Sequence, residues 1–568
     1  MKEILICVFY FTSLTFARTS PELEVNLTEG KILGRFKTSN SGRTIRAFMG
    51  IPFAEPPIND LRFRAPFKKK PWRPNTLVTQ KEPNKCPQVN QHVFEGNEDC
   101  LYLNVYAPEV KFKEKYPVIV FFHGGSFLTG SGGISEHGPD YFLDTDVILV
   151  VGNYRLGALG FLSTEDEYSP GNYGLKDQVA LLRWVNENIE SFGGDINLIT
   201  IFGESVGGSS VNFHMISPLS QNLFHRGISQ SGTLQSFWAD PLQNGIAKER
   251  AEKVAKSLNC SDIENSEVIM NCLRNQSTES LTNSIFTFGD MLEYTSPFLP
   301  VMENLTQTIE EPFITVETFK YNNIAKKIPW LVGINSEEGA LVSSFLYSDD
   351  GVKLFEWTDK IPKYLGYDHL DEFDQEEITK EIREFYFNNE AITYAKFENI
   401  TNLLTDGGGY FGMFDVLEAR LKNNHLDNTF VYFYSHKGGA SFTEVTGRQK
   451  FLGTSHMDEL LNLFPLYESQ QFYSSAPTDF DRALQKIMPN LWVNFARTGN
   501  PNLGHVNPFT HSDQFWKSAK NFPLDYMRIG NENGKSRRLL EMKNGLLTER
   551  VEFWRRLKSN YPIIQWKL

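Results

Sequence analysis

The sequence has few cysteines and lacks the spacings that are typical of a bound metal. Five cysteines occur among 568 residues, and neither C-x-x-C nor H-x-x-x-H is present, so no zinc site is expected. An excess of positive charge is also lacking, because 56 Lys and Arg stand against 69 Asp and Glu, a net charge of −13. This balance argues against binding to nucleic acid or anionic lipid. We therefore predict no metal, no cofactor and no nucleic-acid partner.

Linkers, blocks of like charge and internal repeats are absent too, although the length alone would suggest about four domains. Hydrophobic residues make up 40% and aromatic residues 13% of the chain, which is enough to bury a large core. This composition excludes a collagen, a coiled coil and wholesale disorder. One large domain with insertions is the expected organisation.

The N-terminus contains an apolar run. Residues 1–17 place Lys2 before about 13 apolar residues and end in small residues at Thr15 and Ala17, as secretory signal peptides do. The run is shorter than the roughly 20 residues that span a bilayer, and Glu3 is its one discordant residue. We predict a signal peptide at 1–17, a secreted protein and no stable membrane anchor.

The cysteines beyond Cys7 form an even set with two short intervals. In an oxidising compartment the local pairing Cys86–Cys100 and Cys260–Cys272 is the simplest of the three possible connectivities. Sequons for N-glycosylation are compatible with secretion without proving it; they begin at Asn26, Asn259, Asn275, Asn304 and Asn399.

Short β-branched and aromatic runs alternate with helix-like stretches. The predicted strands are Pro117–Phe122, Val147–Val151, Leu198–Phe202, Ile328–Val332 and Phe430–Tyr434. The clearest predicted helix, Tyr173–Ser191, carries a broad apolar stripe. This alternation predicts a large, mostly parallel central sheet with helices on both faces, an α/β fold. The polar segment Asp240–Leu299 is interpreted as a helical insertion beside the sheet. Asp406–Gly409 (DGGG) lacks the pattern of a phosphate loop and is interpreted as a plain turn.

Gly203-Glu204-Ser205-Val206-Gly207 follows a predicted strand and opens a helix-like segment. G-x-S-x-G in this context is typical of a nucleophile elbow, a sharp turn that exposes a serine hydroxyl above the sheet. Such a turn strains the serine backbone and leaves no room for Cβ atoms two positions away, which explains both glycines. The motif predicts Ser205 as a nucleophile.

A nucleophilic serine also needs an oxyanion site, a base and an acid. His123-Gly124-Gly125-Ser126-Phe127 follows a strand and has the H-G-G-x form of an oxyanion loop. The chain order serine, acid, histidine places the base after the elbow. Periodicity does not rank His456 above His436, and the acid is Glu337 or Glu338. The candidate histidines are the six that follow Asp240: His369, His425, His436, His456, His505 and His511.

Over nearly its whole length the chain resembles the type-B carboxylesterase and cholinesterase family of the α/β-hydrolase fold, and in particular secreted insect carboxylesterases. The stretches that carry the resemblance are Glu98–Asn104 (EDCLYLN), Asn153–Gly157 (NYRLG), Gly171–Gln178 (GNYGLKDQ), Gly203–Gly208 (GESVGG) and Trp492–Pro501 (WVNFARTGNP). The resemblance implies a single catalytic domain at 18–568 that hydrolyses small-molecule carboxylic esters.

The resemblance also implies residue roles. Ser205 is then the nucleophile, Glu338 the acid and His456 the base, and the backbone N–H groups of the oxyanion hole belong to Gly125, Ser126 and Val206. Trp238, Tyr294 and Ser296 align weakly with the acyl pocket. Ser126 and Val206 replace the smaller residues usual in the family. The Cys86–Cys100 loop contains no tryptophan, so the cation–π platform for choline esters is missing.

Two alternatives to an esterase with steady turnover remain open. A member that acylates fast and deacylates slowly would sequester toxic esters, and some members are binding proteins without catalysis. The sequence leaves the physiological ester open among pheromones, hormones, dietary esters and xenobiotics, and it is silent on the oligomeric state.

Overall fold

The computed structural model describes residues 23–561. Excepted from that range are 91, 110–114, 237, 240, 243, 290–295, 304–310, 320–326, 347–360, 369, 424, 447–450, 467–474 and 503–514. The predicted signal peptide at 1–17, the acyl-pocket candidate Tyr294, the sequon Asn304 and the histidines His369, His505 and His511 lie outside the described residues.

The described part of the chain contains sixteen strands and fourteen α-helices. The strands are β1 Glu24–Asn26, β2 Lys31–Leu33, β3 Arg35–Thr38, β4 Thr44–Pro52, β5 Thr76–Val78, β6 Gln88–Asn90, β7 Val93–Glu95, β8 Tyr102–Pro108, β9 Tyr116–Phe122, β10 Ile148–Gly152, β11 Gly194–Glu204, β12 Arg226–Gln230, β13 Trp330–Asn335, β14 Thr429–Tyr434, β15 Asp525–Ile529 and β16 Leu540–Asn544. The helices are α1 Ile134–His137, α2 Gly157–Phe161, α3 Tyr173–Asn188, α4 Val206–Ile216, α5 Ile246–Ser257, α6 Ser266–Arg274, α7 Thr278–Asn283, α8 Ala340–Leu346, α9 Ile361–Tyr364, α10 Glu372–Phe387, α11 Phe397–Thr405, α12 Phe411–Lys422, α13 Asp479–Thr498 and α14 Thr548–Asn560.

An eleven-stranded sheet organises the fold, in the order β16-β15-β14-β13-β12-β11-β9-β10-β8-β4-β3. The seven strands from β15 to β10 pair in parallel, and the strands at both ends pair antiparallel. The prediction of a large, mostly parallel sheet is confirmed. The carboxyl ends of its central strands share one edge, which is where sites form in open α/β sheets.

Both faces of the sheet are buried, as β9 illustrates. Val118 and Val120 belong to one hydrophobic cluster, together with residues of α3 and α4. Ile119 and Phe121 point to the opposite face and belong to a second cluster with residues of α13. A strand buried on both faces has a continuous hydrophobic run, which explains why the sequence of β9 shows no polar alternation.

All five predicted strands exist, with ends shifted by at most four residues. The predicted helix Tyr173–Ser191 corresponds to α3, which ends at Asn188 and continues as a 3₁₀ turn at Ile189–Phe192. The Asp240–Leu299 segment contains α5, α6 and α7 beside the sheet. The plain turn predicted at Asp406–Gly409 is wrong, because Asp406–Tyr410 forms a π-helical turn that joins α11 to α12.

Two disulfides have the predicted pairing. Cys86–Cys100 and Cys260–Cys272 have Cα–Cα distances of 5.0 and 5.8 Å. The sequon residues Asn26, Asn259 and Asn275 are exposed, whereas the half-buried Asn399 donates from its amide to the Tyr386 carbonyl at 2.7 Å. Across the described ranges, no helix is long and apolar enough to span a bilayer.

A buried ion pair attaches the segment after the 240–299 insertion to the start of α3. Glu303 Oε1 lies 2.7 Å from Lys176 Nζ, and the two side chains are 0% and 3% exposed. The other carboxylate oxygen accepts from Asn172 Nδ2 at 2.8 Å and from the Phe313 backbone N–H at 2.6 Å. A buried charge needs this full set of partners to offset its desolvation.

We expect Glu303→Ala to lower the free energy of unfolding by about 3–5 kcal/mol, because the substitution leaves the buried Lys176 ammonium without this carboxylate. Denaturant unfolding followed by tryptophan fluorescence measures the change. Glu377→Ala is the matched control, since Glu377 pairs with Lys380 on the surface and its loss should cost less than about 1 kcal/mol. Equal effects of both substitutions would contradict the prediction.

Candidate active site

Ser205 occupies a strained turn between β11 and α4. Its backbone has φ 57° and ψ −126°, a conformation that residues other than glycine rarely adopt. A Cβ atom on Gly207 would lie 2.1 Å from the Phe122 carbonyl oxygen, and one on Gly203 would lie 2.3 Å from the Gly207 carbonyl. Only glycine therefore fits at either position, as the motif predicts.

The loop after β9 lies directly beside this turn. A Cβ atom on Gly124 would be 3.1 Å from Ser205 Cβ. Gly125 has φ +101°, and a Cβ atom there would lie 2.2 Å from the Thr129 carbonyl oxygen. Ser126 also has a positive φ, 58°. The first residue of α4 is Val206, whose N–H has no acceptor within the helix. Val206 is thus adjacent to Ser205 in the chain, and Gly125 and Ser126 follow Gly124, which lies beside the serine.

His123 fixes this loop and is unsuited to act as a base. Its ring stacks on Tyr154 with a centroid distance of 4.3 Å, and its carbonyl accepts from the Tyr154 hydroxyl at 2.7 Å. Burial lowers the pKa of His123 to about 4. The imidazole therefore stays neutral and packs as an aromatic ring.

Glu338 and His456 lie in contact although 118 positions separate them. Glu338 follows β13, and its Oε2 accepts from His456 Nδ1 at 2.6 Å. Its Oε1 accepts from the Asn335 backbone N–H at 2.7 Å. This arrangement holds the imidazole by Nδ1 and leaves Nε2 for the elbow.

The geometry also separates the candidates that the sequence could not rank. Glu337 accepts instead from the Thr454 backbone N–H at 2.7 Å and from Asn533 Nδ2 at 3.1 Å. His436 is held at Nε2 by Asp481 at 2.8 Å. His425 precedes β14 and so lies at the opposite edge of the sheet from the serine. Glu338 and His456 are the pair that fits the acid and the base.

Glu204 is a second carboxylate next to the imidazole, and the sequence reasoning missed it. Its Oε1 approaches His456 Nε2 to 3.2 Å, and its side chain is 1% exposed. Burial raises the pKa of Glu204, whereas the positive charge of the neighbouring His456 lowers it. Burial alone would lower the pKa of His456, but the charges of Glu204 and Glu338 outweigh it and raise that pKa. The position of Glu204 immediately before Ser205 was the available signal.

A third carboxylate, Glu459, was also missed. It is fully buried and accepts from Gln230 Nε2 at 2.8 Å and from Asn335 Nδ2. Asn335 Nδ2 also donates to the Ser455 carbonyl at 2.7 Å. The network joins the ends of β12 and β13 to the loop that carries His456. The sequence feature that could have pointed to Glu459 is its position three residues after His456.

The acyl-pocket candidates have different surroundings. The Trp238 indole meets the His456 ring edge to face, with centroids 5.8 Å apart. Ser296 is buried, and its hydroxyl forms hydrogen bonds with the backbone of Phe298 at 3.0 and 3.2 Å. Trp238 therefore lies next to the imidazole, whereas the hydrogen bonds of Ser296 lie within its own turn.

The chain order serine, glutamate, histidine at the carboxyl edge of a mostly parallel sheet is that of an α/β-hydrolase. The sequence matches the carboxylesterase family over residues 21–554. The chain belongs to this family and is a carboxylic ester hydrolase.

Similar proteins include several insect esterases. The chain is 34% identical to a juvenile hormone esterase of Tribolium castaneum over 98% of both chains. It is 33% identical to a carboxylic ester hydrolase of Bombus ignitus over 95% of both chains. Among solved structures, juvenile hormone esterase from Manduca sexta, with OTFP covalently attached, has a TM-score of 0.80 at 24% identity. That match covers 95% of this chain and 100% of the other.

Removal of the second carboxylate should change the pH dependence of hydrolysis. The sequence alone predicts that the rate falls below about pH 6–7, the range of an ordinary histidine. Because the surrounding carboxylates raise the pKa of His456, we expect the acidic limb of kcat/KM at higher pH. Glu204→Gln removes one of these charges, so the limb should move about one unit toward lower pH. Profiles of kcat/KM between pH 5 and 10 measure this shift.

Glu337→Gln is the matched control for this experiment. Glu337 belongs to the same loop region but contacts Thr454 instead of the imidazole, so its loss should leave the midpoint of the limb in place. A Glu204→Gln limb that coincides with that of the wild type, or that moves to higher pH, would refute the electrostatic argument.

Proposed function

We propose that the protein is a serine esterase in which Ser205 forms an acyl-enzyme, His456 is the general base and Glu338 orients it. The observation that carries the proposal is the position of the two nitrogens of the His456 imidazole. Glu338 binds its Nδ1 at 2.6 Å, and its Nε2 lies 3.2 Å from Glu204, the neighbour of Ser205. A base fixed at one nitrogen, with its other nitrogen beside the residue that precedes a strained serine, supports the arrangement that nucleophilic catalysis needs.

In the first step Ser205 Oγ attacks the ester carbonyl while His456 Nε2 takes the hydroxyl proton. The backbone N–H groups of Gly125, Ser126 and Val206 stabilise the tetrahedral oxyanion, and each such donor is worth about 3–4 kcal/mol in related enzymes. His456 then gives the proton to the departing alcohol. Water repeats the sequence on the acyl-enzyme, releases the acid and restores Ser205.

The substrates that we propose are uncharged carboxylic esters whose acyl part packs against Trp238, with Tyr294 and Ser296 as further acyl-side candidates. A choline ester is disfavoured, because the Cys86–Cys100 loop provides no tryptophan for cation–π contact. The name of the Tribolium relative, a juvenile hormone esterase, makes juvenile hormone the first ester to assay. A covalent adduct in the Manduca sexta structure is consistent with a covalent intermediate.

We also propose that residues 18–568 form one catalytic domain that is secreted after loss of residues 1–17. Two disulfides favour an oxidising compartment. The exposed sequons at Asn26, Asn259 and Asn275 are the best candidates for glycans. Asn304 and Asn399 are the remaining candidates, and the amide of Asn399 is already engaged.

Ser205→Ala should lower kcat for p-nitrophenyl ester hydrolysis by at least about 10⁴-fold, since no other group in the elbow replaces the nucleophile. It should also abolish labelling by a fluorophosphonate. Steady-state kinetics and mass spectrometry of the labelled protein measure the two effects.

Ser210→Ala is the control on the same helix, because the buried Ser210 hydroxyl donates to the Val206 carbonyl at 2.9 Å and has no part in the proposed chemistry. Turnover retained by Ser205→Ala would refute the nucleophile. A wild-type burst followed by negligible steady state would identify sequestration, and absence of labelling would identify a binding protein.

A further inference from the structure

The three consecutive glycines at 407–409 form part of a π-helical turn within a continuous helical segment. Asp406–Tyr410 links α11 to α12 without a break, since its flanking residues Thr405 and Phe411 both have right-handed helical backbones. Single π turns inside helices occur frequently at functional sites. This turn contacts the Trp238 indole, which in turn meets the His456 ring.

One face of this segment packs against Gln235 and Trp238 with almost no space. A Cβ atom on Gly412 would lie 2.2 Å from the Gln235 carbonyl oxygen. A Cβ atom on Gly409 would lie 2.4 Å from Cη2 and 2.8 Å from Cζ2 of the Trp238 indole. The indole therefore occupies the space that any side chain at position 409 would need.

On its catalytic side the same indole meets the His456 ring at 5.8 Å. Trp238 thus connects the glycine face of the helix with the base. A shift of the indole away from position 409 changes the space available to an ester next to the imidazole.

The helix is anchored on its other side, so it cannot easily retreat. Asp406 is fully buried, and its carboxylate accepts from Arg550 of α14 and from the Tyr386 hydroxyl. The Tyr410 hydroxyl donates to the Leu546 carbonyl at 2.7 Å. A clash at position 409 is therefore relieved by movement of the indole.

We propose that Gly409 is a specificity-determining residue, which sets the size of the acyl-binding space by allowing the Trp238 indole to lie against the π-helical turn. This inference rests on the proposed function, in which the acyl part packs against Trp238. Gly409 acts through Trp238 and does not itself contact the substrate.

Gly409→Ala tests the proposal. The added methyl displaces the indole by about 1 Å, the difference between 2.4 Å and an ordinary contact of about 3.4 Å. We expect kcat/KM for p-nitrophenyl octanoate to fall at least about tenfold relative to that for the acetate. A second series, acetates of alcohols of increasing length, should keep its wild-type order.

Gly407→Ala is the matched control in the same turn. Its methyl would face Leu365 Cδ2 at 2.4 Å and Trp554 at 3.3 Å, which belong to a separate helical cluster. Both substitutions replace glycine by alanine in one helical turn, so any general effect on the helix is shared. Gly407→Ala should keep the wild-type ratio of octanoate to acetate rates.

Trp238→Leu completes a double-mutant cycle, because it removes the ring atoms that the new methyl would meet. It should raise the octanoate-to-acetate ratio, and in this background Gly409→Ala should change the ratio less than twofold. If Gly409→Ala alone fails to fold, the double variant should still fold, since the clash with the indole is absent from it; misfolding of both would overturn the inference.

Three further results would overturn the inference: an unchanged ratio in folded Gly409→Ala, the same change in Gly407→Ala, or a change confined to the alcohol series. Fluorophosphonate labelling of each variant reports whether the nucleophile is assembled. Failure of the inference with labelling intact leaves the proposed function standing. Loss of labelling in the wild type would instead reject the proposed function.

Discussion

The site depends on the burial of three carboxylates around one imidazole. Glu204, Glu338 and Glu459 are 1%, 5% and 0% exposed, and all lie close to His456. A buried charge is tolerated only where partners replace its water. Two of these carboxylates meet that requirement with fixed donors and Glu204 does not, and this difference distinguishes their roles.

Glu338 and Glu459 are satisfied by fixed donors. The backbone N–H of Asn335 and His456 Nδ1 bind Glu338, and side-chain amides bind Glu459. Glu204 has only the approach of His456 Nε2, and neither of its oxygens has an aligned hydrogen bond. Burial raises its pKa, and the charge of His456 lowers it. The charge of Glu204 therefore depends on the neighbouring imidazole, whereas Glu338 is fixed by the Asn335 N–H and orients that imidazole.

The parallel sheet makes this assembly possible, since it brings distant segments to one edge. Gln230 ends β12 and Asn335 ends β13, and the two strands are neighbours in the sheet. Both side chains reach Glu459, and Asn335 also holds the Ser455 carbonyl next to the base. The loop that carries His456 is thereby attached to strands that hydrogen bonds keep in register. The ends of β12 and β13 therefore help to fix the position of the imidazole, in addition to its own loop.

The parts of the molecule that follow from local rules were predictable from the sequence. β9 and β14 are continuous apolar runs, and the elbow needs only five consecutive residues. The acid and the base were not predictable from the residues alone, because Glu337 and Glu338 are adjacent in the chain and differ only in which residue each one meets across the site. Without the family resemblance, that choice needs the packing of β13 against the 453–456 loop.

Gly207 and Gly409 also differ in whether the sequence reveals why glycine is needed. Both glycines are required because an atom of another segment fills the space of a Cβ atom: the Phe122 carbonyl oxygen for Gly207 and the Trp238 indole for Gly409. The first requirement is recognisable in the sequence because it accompanies a short motif around Ser205. The second depends on a side chain distant in the sequence, so the glycine run at 407–409 is indistinguishable from a turn until the fold is known. A glycine in a helix costs stability relative to alanine, and at position 409 contact with the wall of the site is the structural reason that offsets this cost.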